Sequence, residues 1–161
     1  MTNPRPRLLL TQRQTPAVMQ RIEHSFTISD VPDHAMTTRE LLEAARAFQP
    51  DAIMTSTGLP LHGNDVKLLP DCVKVVATVS VGTDHLDIPA LHARGIVVTN
   101  TPDVLTDCNA DMAILLMLAA ARRAGEYATL MRQGWGRALA MDELLGTRIS
   151  GKRLGIVGMG R

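Results

Sequence analysis

Five short apolar runs rich in β-forming residues alternate with helical segments over residues 1–100, and this alternation constrains the fold most strongly. The runs are apolar throughout rather than strictly alternating, which is typical of strands covered on both faces. A succession of strand, helix and strand predicts a parallel sheet with helices on both sides. The predicted strands are RLLLT (7–11), SFTIS (25–29), DAIMTS (51–56), VKVVATVS (73–80) and GIVVTN (95–100).

The segments between these strands carry helix-start and helix-stop signals. A Thr or Asp side chain before a helix can accept hydrogen bonds from its first backbone N–H groups, and a glycine often follows its last turn. We therefore predict an α/β fold in which residues 1–100 form a flavodoxin-like, doubly wound unit with a five-stranded parallel sheet. The signals are Thr15 before Pro16, the capping-box pair Thr37 and Glu40, and Asp87 with Gly95 around IPALHAR.

A different pattern follows residue 100. Residues 101–133 predict a long helical stretch with an acidic first turn and with Arg122–Arg123 nearer its end, as the helix dipole favours. Residues 134–151 predict an irregular connector, and RLGIV (153–157) predicts a new strand. We therefore expect a second domain over residues 101–161, made of a long linking helix and the first strand of an incomplete dinucleotide-binding domain.

Composition narrows the classes of partner. The net charge is +1 and aromatic residues make up 2% of the chain, which argues against nucleic-acid binding. The most apolar stretch, AILLMLAAA (113–121), is about half as long as a membrane span and predicts a buried helix. Cys72 and Cys108 lack metal-ligand spacing, and no secretory-signal pattern is present. We expect a cytoplasmic protein with no membrane partner and no metal.

The segment SVGTDH (80–85) directly follows the most apolar predicted strand. Ligands in open α/β sheets bind at the carboxyl ends of the strands, and a turn containing Gly82 can present backbone N–H groups to a small anion such as a carboxylate. A plain strand-to-helix turn is the alternative interpretation.

Two further segments suggest a cofactor site. In NTPDVLTD (100–107), Pro102 stiffens a junction suited to a hinge, Thr106 and Asp107 can cap the helix, and a hydroxyl there could meet a cofactor phosphate. In GIVGMGR (155–161), Gly158 and Gly160 fill the first two places of the G-x-G-x-x-G fingerprint that holds a dinucleotide pyrophosphate. A strand end that happens to contain glycines is the alternative for the second segment.

Together these features resemble the D-isomer-specific 2-hydroxyacid dehydrogenases, and among them the glyoxylate and hydroxypyruvate reductase group. The span 76–123 follows the family pattern almost element by element. Gly134–Trp135 matches the family's GW after the long helix, and GKRLGIVGMGR (151–161) matches its cofactor loop as far as it extends. Residues 1–70 fit only in general layout.

The resemblance implies a flavodoxin-like substrate domain followed by the start of a Rossmann cofactor domain. The backbone N–H groups of Val81 and Gly82 would hold the substrate carboxylate. Thr106 would lie near the cofactor, NAD or NADP, and Gly158, Gly160 and Arg161 would begin its pyrophosphate loop. The implied reaction is hydride transfer between the nicotinamide and carbon-2 of a small 2-oxo or 2-hydroxy acid, and the full-length protein would form a homodimer.

The family's catalytic arginine, carboxylate and histidine lie downstream of its cofactor loop and have no matching position here. We therefore expect an N-terminal portion of such an oxidoreductase, with no activity in these 161 residues alone. His85 follows the carboxylate turn but does not match the family's catalytic histidine, and we assign it no catalytic role. The alternatives are a stand-alone small-carboxylate-binding module without catalysis and an interaction role in which the apolar helix and Trp135 dock on a partner.

Overall fold

A computed structural model describes residues 4–158 of the chain. The chain divides into two compact units, Met1–Val104 and Leu105–Arg161. Within the described residues the helices and strands are, in chain order, β1 Arg7–Leu10, α1 Pro16–Ser25, β2 Thr27–Ile28, α2 Thr38–Phe48, β3 Ala52–Thr55, α3 Gly63–Leu68, β4 Val75–Thr78, α4 Ile88–Ala93, β5 Val97–Thr99, α5 Thr106–Ala121 and α6 Ala124–Arg132.

The first unit is built on a five-stranded parallel sheet in the order β2-β1-β3-β4-β5. This strand order is the flavodoxin-like one. The chain adds β2 on one side of β1 and then adds β3, β4 and β5 in succession on its other side. All five predicted strands are present, so the predicted α/β fold class is confirmed. The carboxyl ends of β1, β3, β4 and β5 therefore lie along one edge of the sheet.

Side chains from the two faces of the sheet form two separate apolar clusters. Alternate residues of β1 point to opposite faces, so Leu9 joins one cluster while Leu8 and Leu10 join the other. The larger cluster packs the sheet against α2, α3 and α4, and the smaller cluster packs it against α1. Because helices cover both faces, the strands consist of apolar runs, as the sequence predicts.

Capping chemistry sets the starts of α2 and α4. The Thr37 hydroxyl accepts a hydrogen bond from the Glu40 N–H (3.3 Å), and the Glu40 carboxylate accepts one from the Thr37 N–H (2.7 Å), which confirms the predicted capping box. Asp87 accepts a hydrogen bond from the Ala90 N–H (3.0 Å), as predicted. Thr15 stands at the predicted N-cap position of α1, but its side chain makes no capping hydrogen bond, so Pro16 in the first turn is the remaining start signal there.

The end of α4 and the short α3 have different sequence signals. Gly95 follows the last turn of α4 with a φ of +70°, a left-handed conformation that glycine adopts without strain, and the predicted stop is confirmed. Helix α3 has 6 residues, like α4, but it follows His62 instead of an Asp or Thr cap, so the sequence gives no start signal for it. A segment this short does not display helical periodicity.

The second unit differs from its prediction in four ways, of which the first three concern secondary structure. The helical stretch is interrupted at Arg123, whose φ of 53° separates α5 from α6. Leu105 occupies the N-cap of α5 without a side-chain bond, so Thr106 is the first helical residue and not a cap. Residues 153–157 form no strand: within residues 4–158 all five strands belong to the sheet of the first unit, and the second unit supplies no strand with which they could pair.

From Met112 to Ala121, helix α5 is apolar on every side. Leu115 and Leu116 are 58% and 61% exposed, and none of the described residues of the second unit, 105–158, is buried. A helix that is hydrophobic all round is normally enclosed by other parts of a protein. The described residues of this unit therefore form no core of their own, and the prediction of a buried helix over 113–121 is wrong for them. None of the helices described is both long and apolar enough to cross a membrane.

The capping box makes the stability of α2 dependent on pH. Hydrogen bonds from the backbone and side chain of Thr37, with a further one from His34, lower the pKa of Glu40 from its usual 4.5 to about 2. A carboxyl group whose pKa is lower in the folded state stabilises the fold above its unfolded pKa. That contribution is lost as the pH falls from 4.5 towards 2.

The variant Glu40→Gln is expected to flatten this pH dependence, since glutamine keeps an acceptor for the capping box but carries no charge. Urea denaturation across pH 4.5 to 2 measures the effect. Glu23→Gln is the matched control, because the Glu23 carboxylate has no hydrogen-bond or ion-pair partner among the described residues. The same loss of stability on acidification in Glu40→Gln and in the unmodified chain would contradict the assignment.

Candidate functional site

A row of buried threonines crosses the carboxyl edge of the sheet. Thr55 and Thr78 are register partners at the ends of β3 and β4, and Thr11 follows β1, where its N–H donates to the Met54 carbonyl (3.1 Å). Their exposed fractions are 1%, 2% and 2% for Thr55, Thr78 and Thr11. The hydroxyl groups bring polar atoms to the end of an otherwise apolar core, at the edge where open α/β sheets bind ligands.

Thr78 connects this row to the turn that follows β4. Its hydroxyl lies 2.7 Å from the Ser80 hydroxyl and 2.9 Å from Nε2 of His85. Ser80 is itself buried, and its hydroxyl donates to the Gly82 carbonyl (2.7 Å). Thr78, Ser80 and His85 therefore fix the base of the turn by side-chain hydrogen bonds.

The predicted carboxylate-binding residues, Val81 and Gly82, form the top of this turn. Val81 is half-buried and Gly82 is exposed. Neither of their N–H groups donates a hydrogen bond to any other described residue. A side chain added at Gly82 would meet only the Asp84 carboxylate at 3.8 Å, so space above the turn is open. Two backbone N–H groups without protein partners, at the carboxyl edge of a parallel sheet, can donate hydrogen bonds to an anionic group.

His85 lies at the base of this turn, where its ring is hydrogen-bonded to Thr78. Burial lowers its pKa, and the negative charge of Asp84 opposes that shift only in part. Because the Ser80 hydroxyl donates to the Gly82 carbonyl, it accepts from the Thr78 hydroxyl, and Nε2–H of His85 is then the donor to Thr78. Nε2 thus has a protein partner in this turn, and the absence of a catalytic role for His85 stays a prediction.

The residues predicted to contact a cofactor lie in the second unit. Thr106 is the exposed first residue of α5, and Gly158 is exposed with a φ of +79° and no atom within 4 Å of an added side chain. This backbone conformation and open space fit the first glycine of a pyrophosphate loop. Gly160 and Arg161, predicted to continue that loop, lie outside the described residues.

Several residues that shape the turn after β4 are not among the predicted site residues. Ser80, Thr78 and Asn100 were quoted as parts of strands or junctions, yet all three make hydrogen bonds that hold the turn. The available signal was the repeated ending of an apolar run in a hydroxyl or amide residue, in LLLT, AIMTS, VVATVS and VVTN. Such endings place polar side chains at one edge of a parallel sheet.

Comparison with known protein families gives an extensive match. The family described as D-isomer specific 2-hydroxyacid dehydrogenase, catalytic domain, matches residues 8–151. The glycerate dehydrogenase of Hyphomicrobium methylovorum is 34% identical over 96% of this chain and 48% of its own length. The glyoxylate/hydroxypyruvate reductase B of Citrobacter koseri is 34% identical over 98% of this chain and 48% of its own length.

A solved structure has the same fold. The D-isomer specific 2-hydroxyacid dehydrogenase, NAD-binding, from Polaromonas sp. JS6 66 superposes with a TM-score of 0.85 and 34% identity. The match covers 98% of this chain and 49% of that one. The chain thus spans about half the length of the curated relatives that it matches.

Thr55 and Thr78 offer a matched test of the network beneath the turn. Thr78→Val removes a hydroxyl that bonds to Ser80 and His85, and we expect it to lower the free energy of unfolding by about 1–3 kcal/mol. Within the described residues the Thr55 hydroxyl is buried without a partner. Thr55→Val is therefore expected to stay within about 0.5 kcal/mol of the unmodified chain or to stabilise it. Urea denaturation compares the two variants, and equal losses would contradict the network.

Proposed function

The chain belongs to the D-isomer-specific 2-hydroxyacid dehydrogenase family, and from that premise we propose that it is part of an oxidoreductase that transfers a hydride between NADH or NADPH and a small 2-oxo acid. Glyoxylate and hydroxypyruvate are the proposed substrates. Support comes from the names of the relatives, which include a glyoxylate/hydroxypyruvate reductase and a glycerate dehydrogenase. The family match extends across both units of the chain.

The observation that carries the substrate assignment is the pair of free N–H groups at Val81 and Gly82. A carboxylate offers two oxygen acceptors, and hydrogen bonds from backbone donors to an ionised acceptor are stronger than those between neutral groups. Holding the carboxylate at the turn would leave the adjacent 2-oxo group free to face the nicotinamide cofactor. The proposed contribution of this half is therefore to bind and orient the substrate.

We propose that the second unit begins the cofactor site. A bound nicotinamide cofactor would supply the hydride that adds to carbon-2 of the substrate. Thr106, Gly158, Gly160 and Arg161 are the proposed contacts, with the open backbone of Gly158 leaving room for a pyrophosphate. The choice between NAD and NADP stays open in this proposal.

We further propose a domain boundary at residues 100–101, a cytoplasmic location and a homodimer for the full-length protein. The exposed apolar surface of α5 supports the dimer, since a soluble protein normally covers such a patch. The second unit would in that case gain its core from elements beyond those described.

A second candidate function is carboxylate binding without catalysis. One observation favours it: both free donors belong to the first unit, which has its own buried core. In this case the chain would bind a small carboxylate and show no affinity for a nicotinamide cofactor.

Carboxylate binding tests the site directly. Titration of the chain with oxamate, an unreactive 2-oxo monocarboxylate, is expected to shift the NMR signals of the Val81 and Gly82 amides, with a Kd on the order of millimolar. Gly82→Ala is expected to weaken this binding because its methyl group occupies the open space above the turn. Gly136→Ala is the matched control, with a glycine equally free of close contacts. Shifts confined to other residues would refute the site.

A hydride-transfer assay tests whether these 161 residues bind substrate without catalysing the reaction. We expect the 161 residues alone, mixed with NADH and glyoxylate, to consume NADH no faster than buffer, because the groups that polarise and protonate the 2-oxo oxygen are assigned elsewhere. The decrease in NADH absorbance measures the rate. A rate above that of buffer, which Gly82→Ala then reduces, would show that these residues already contain the catalytic groups.

A further inference from the structure

We propose that Asn100 is a positioning residue for the carboxylate-binding turn: its side-chain amide fixes the peptide that carries the Gly82 N–H. The inference rests on the proposed carboxylate site at Val81 and Gly82. It assigns a function to a side chain on the exit of β5, which is a different strand from the one that carries the turn.

Three consecutive carbonyl groups of the turn are hydrogen-bonded. The Ser80 carbonyl accepts from the Thr101 N–H (2.8 Å), and the Val81 carbonyl accepts from Nδ2 of Asn100 (2.8 Å). The Gly82 carbonyl accepts from the Ser80 hydroxyl (2.7 Å). Every peptide unit from Ser80 to Thr83 is therefore held at its oxygen.

Peptide planarity converts these bonds into an orientation of the donors. In a trans peptide the N–H points opposite to the carbonyl oxygen of the same unit, so fixing the oxygen fixes the N–H. The three N–H groups concerned are those of Val81, Gly82 and Thr83. Over residues 4–158 none of these three donates a hydrogen bond to the protein. The turn therefore presents three successive oriented donors, one more than the sequence predicts.

Asn100 has a distinct part in this arrangement. The other two carbonyl bonds come from a backbone N–H and from Ser80 within the turn itself. Asn100 is the side chain from a neighbouring strand, and its position follows from the register of β5, in which Thr99 pairs with Ala77. A carbonyl partner requires a donor, so an amide serves here and a carboxylate of the same shape does not. The rigid β4–β5 pairing thus sets the direction of the Gly82 N–H.

Oxamate binding to the 161-residue chain tests this role. Asn100→Ala is expected to weaken oxamate binding roughly three- to tenfold, since one hydrogen bond that orients the site is lost. Asn64→Ala is the matched control, because Asn64 is an exposed asparagine on α3. Both variants are expected to have similar free energies of unfolding, which separates positioning from a general contribution to stability.

A second variant and a second measurement keep the test decisive. Asn100→Asp preserves the side-chain shape, loses the donor and adds a negative charge, so it is expected to bind oxamate more weakly than Asn100→Ala. In the absence of oxamate, the Gly82 amide signal is expected to move in both Asn100 variants and not in Asn64→Ala.

The outcomes separate this inference from the proposed function. If the unmodified chain shows no oxamate-dependent shift at Val81 and Gly82, the carboxylate site is refuted and the inference falls with it. If the unmodified chain binds oxamate and Asn100→Ala binds it equally well, the site stands and the positioning role of Asn100 is overturned. Weaker oxamate binding by Asn100→Ala would also overturn the positioning role if this variant lost as much free energy of unfolding as free energy of binding and Asn64→Ala lost neither.

Discussion

Parallel pairing between β3 and β4 is the constraint on which the rest of the first unit depends. Its register runs from Ala52 opposite Val75 to Thr55 opposite Thr78, so both strands leave the core at the same level. The same pairing places Ile53 and Val76 side by side in the larger apolar cluster. Polar residues then follow at the edge where both strands end, and the turn of Ser80 to Gly82 begins there. A shift of one residue would exchange the two faces of a strand and bury its polar side chains in the wrong layer.

The turn after β4 shows how a core can prepare a binding surface. The Thr101 N–H, the Asn100 amide and the Ser80 hydroxyl satisfy the carbonyl oxygens of the turn, while the N–H groups of Val81, Gly82 and Thr83 have no partner among the described residues. A buried carbonyl needs a hydrogen-bond partner within the protein, whereas an N–H at the surface can bond to water until a ligand binds. Under the proposed function, the apolar core, Thr78 and Asn100 therefore serve one purpose, which is to hold backbone donors in a fixed direction before a carboxylate binds.

Sequence patterns predicted the parts of this structure that depend on local chemistry and periodicity. The five strands, the Thr37–Glu40 capping box and the stop at Gly95 follow from such signals and are present. The predicted strand at 153–157 is absent because a strand needs neighbours, which a local pattern does not supply. The break at Arg123 requires a left-handed residue that neither composition nor helical periodicity marks. Asn100 was overlooked because its partner, the Val81 carbonyl, is 19 residues away and comes close only through β4–β5 pairing. The roles of Val81, Gly82, Thr106 and Gly158, and the domain boundary, stay predictions.

The central claim is that the turn after β4 offers its N–H groups to a carboxylate in a direction already set in the free protein. A crystal structure of the chain grown with oxamate tests it most directly. Carboxylate oxygens are expected within hydrogen-bond distance of the Val81 and Gly82 nitrogens, with the carbonyl bonds to Thr101, Asn100 and Ser80 unchanged. Oxamate bound elsewhere, or a turn whose peptides have rotated away from those three partners, would contradict it.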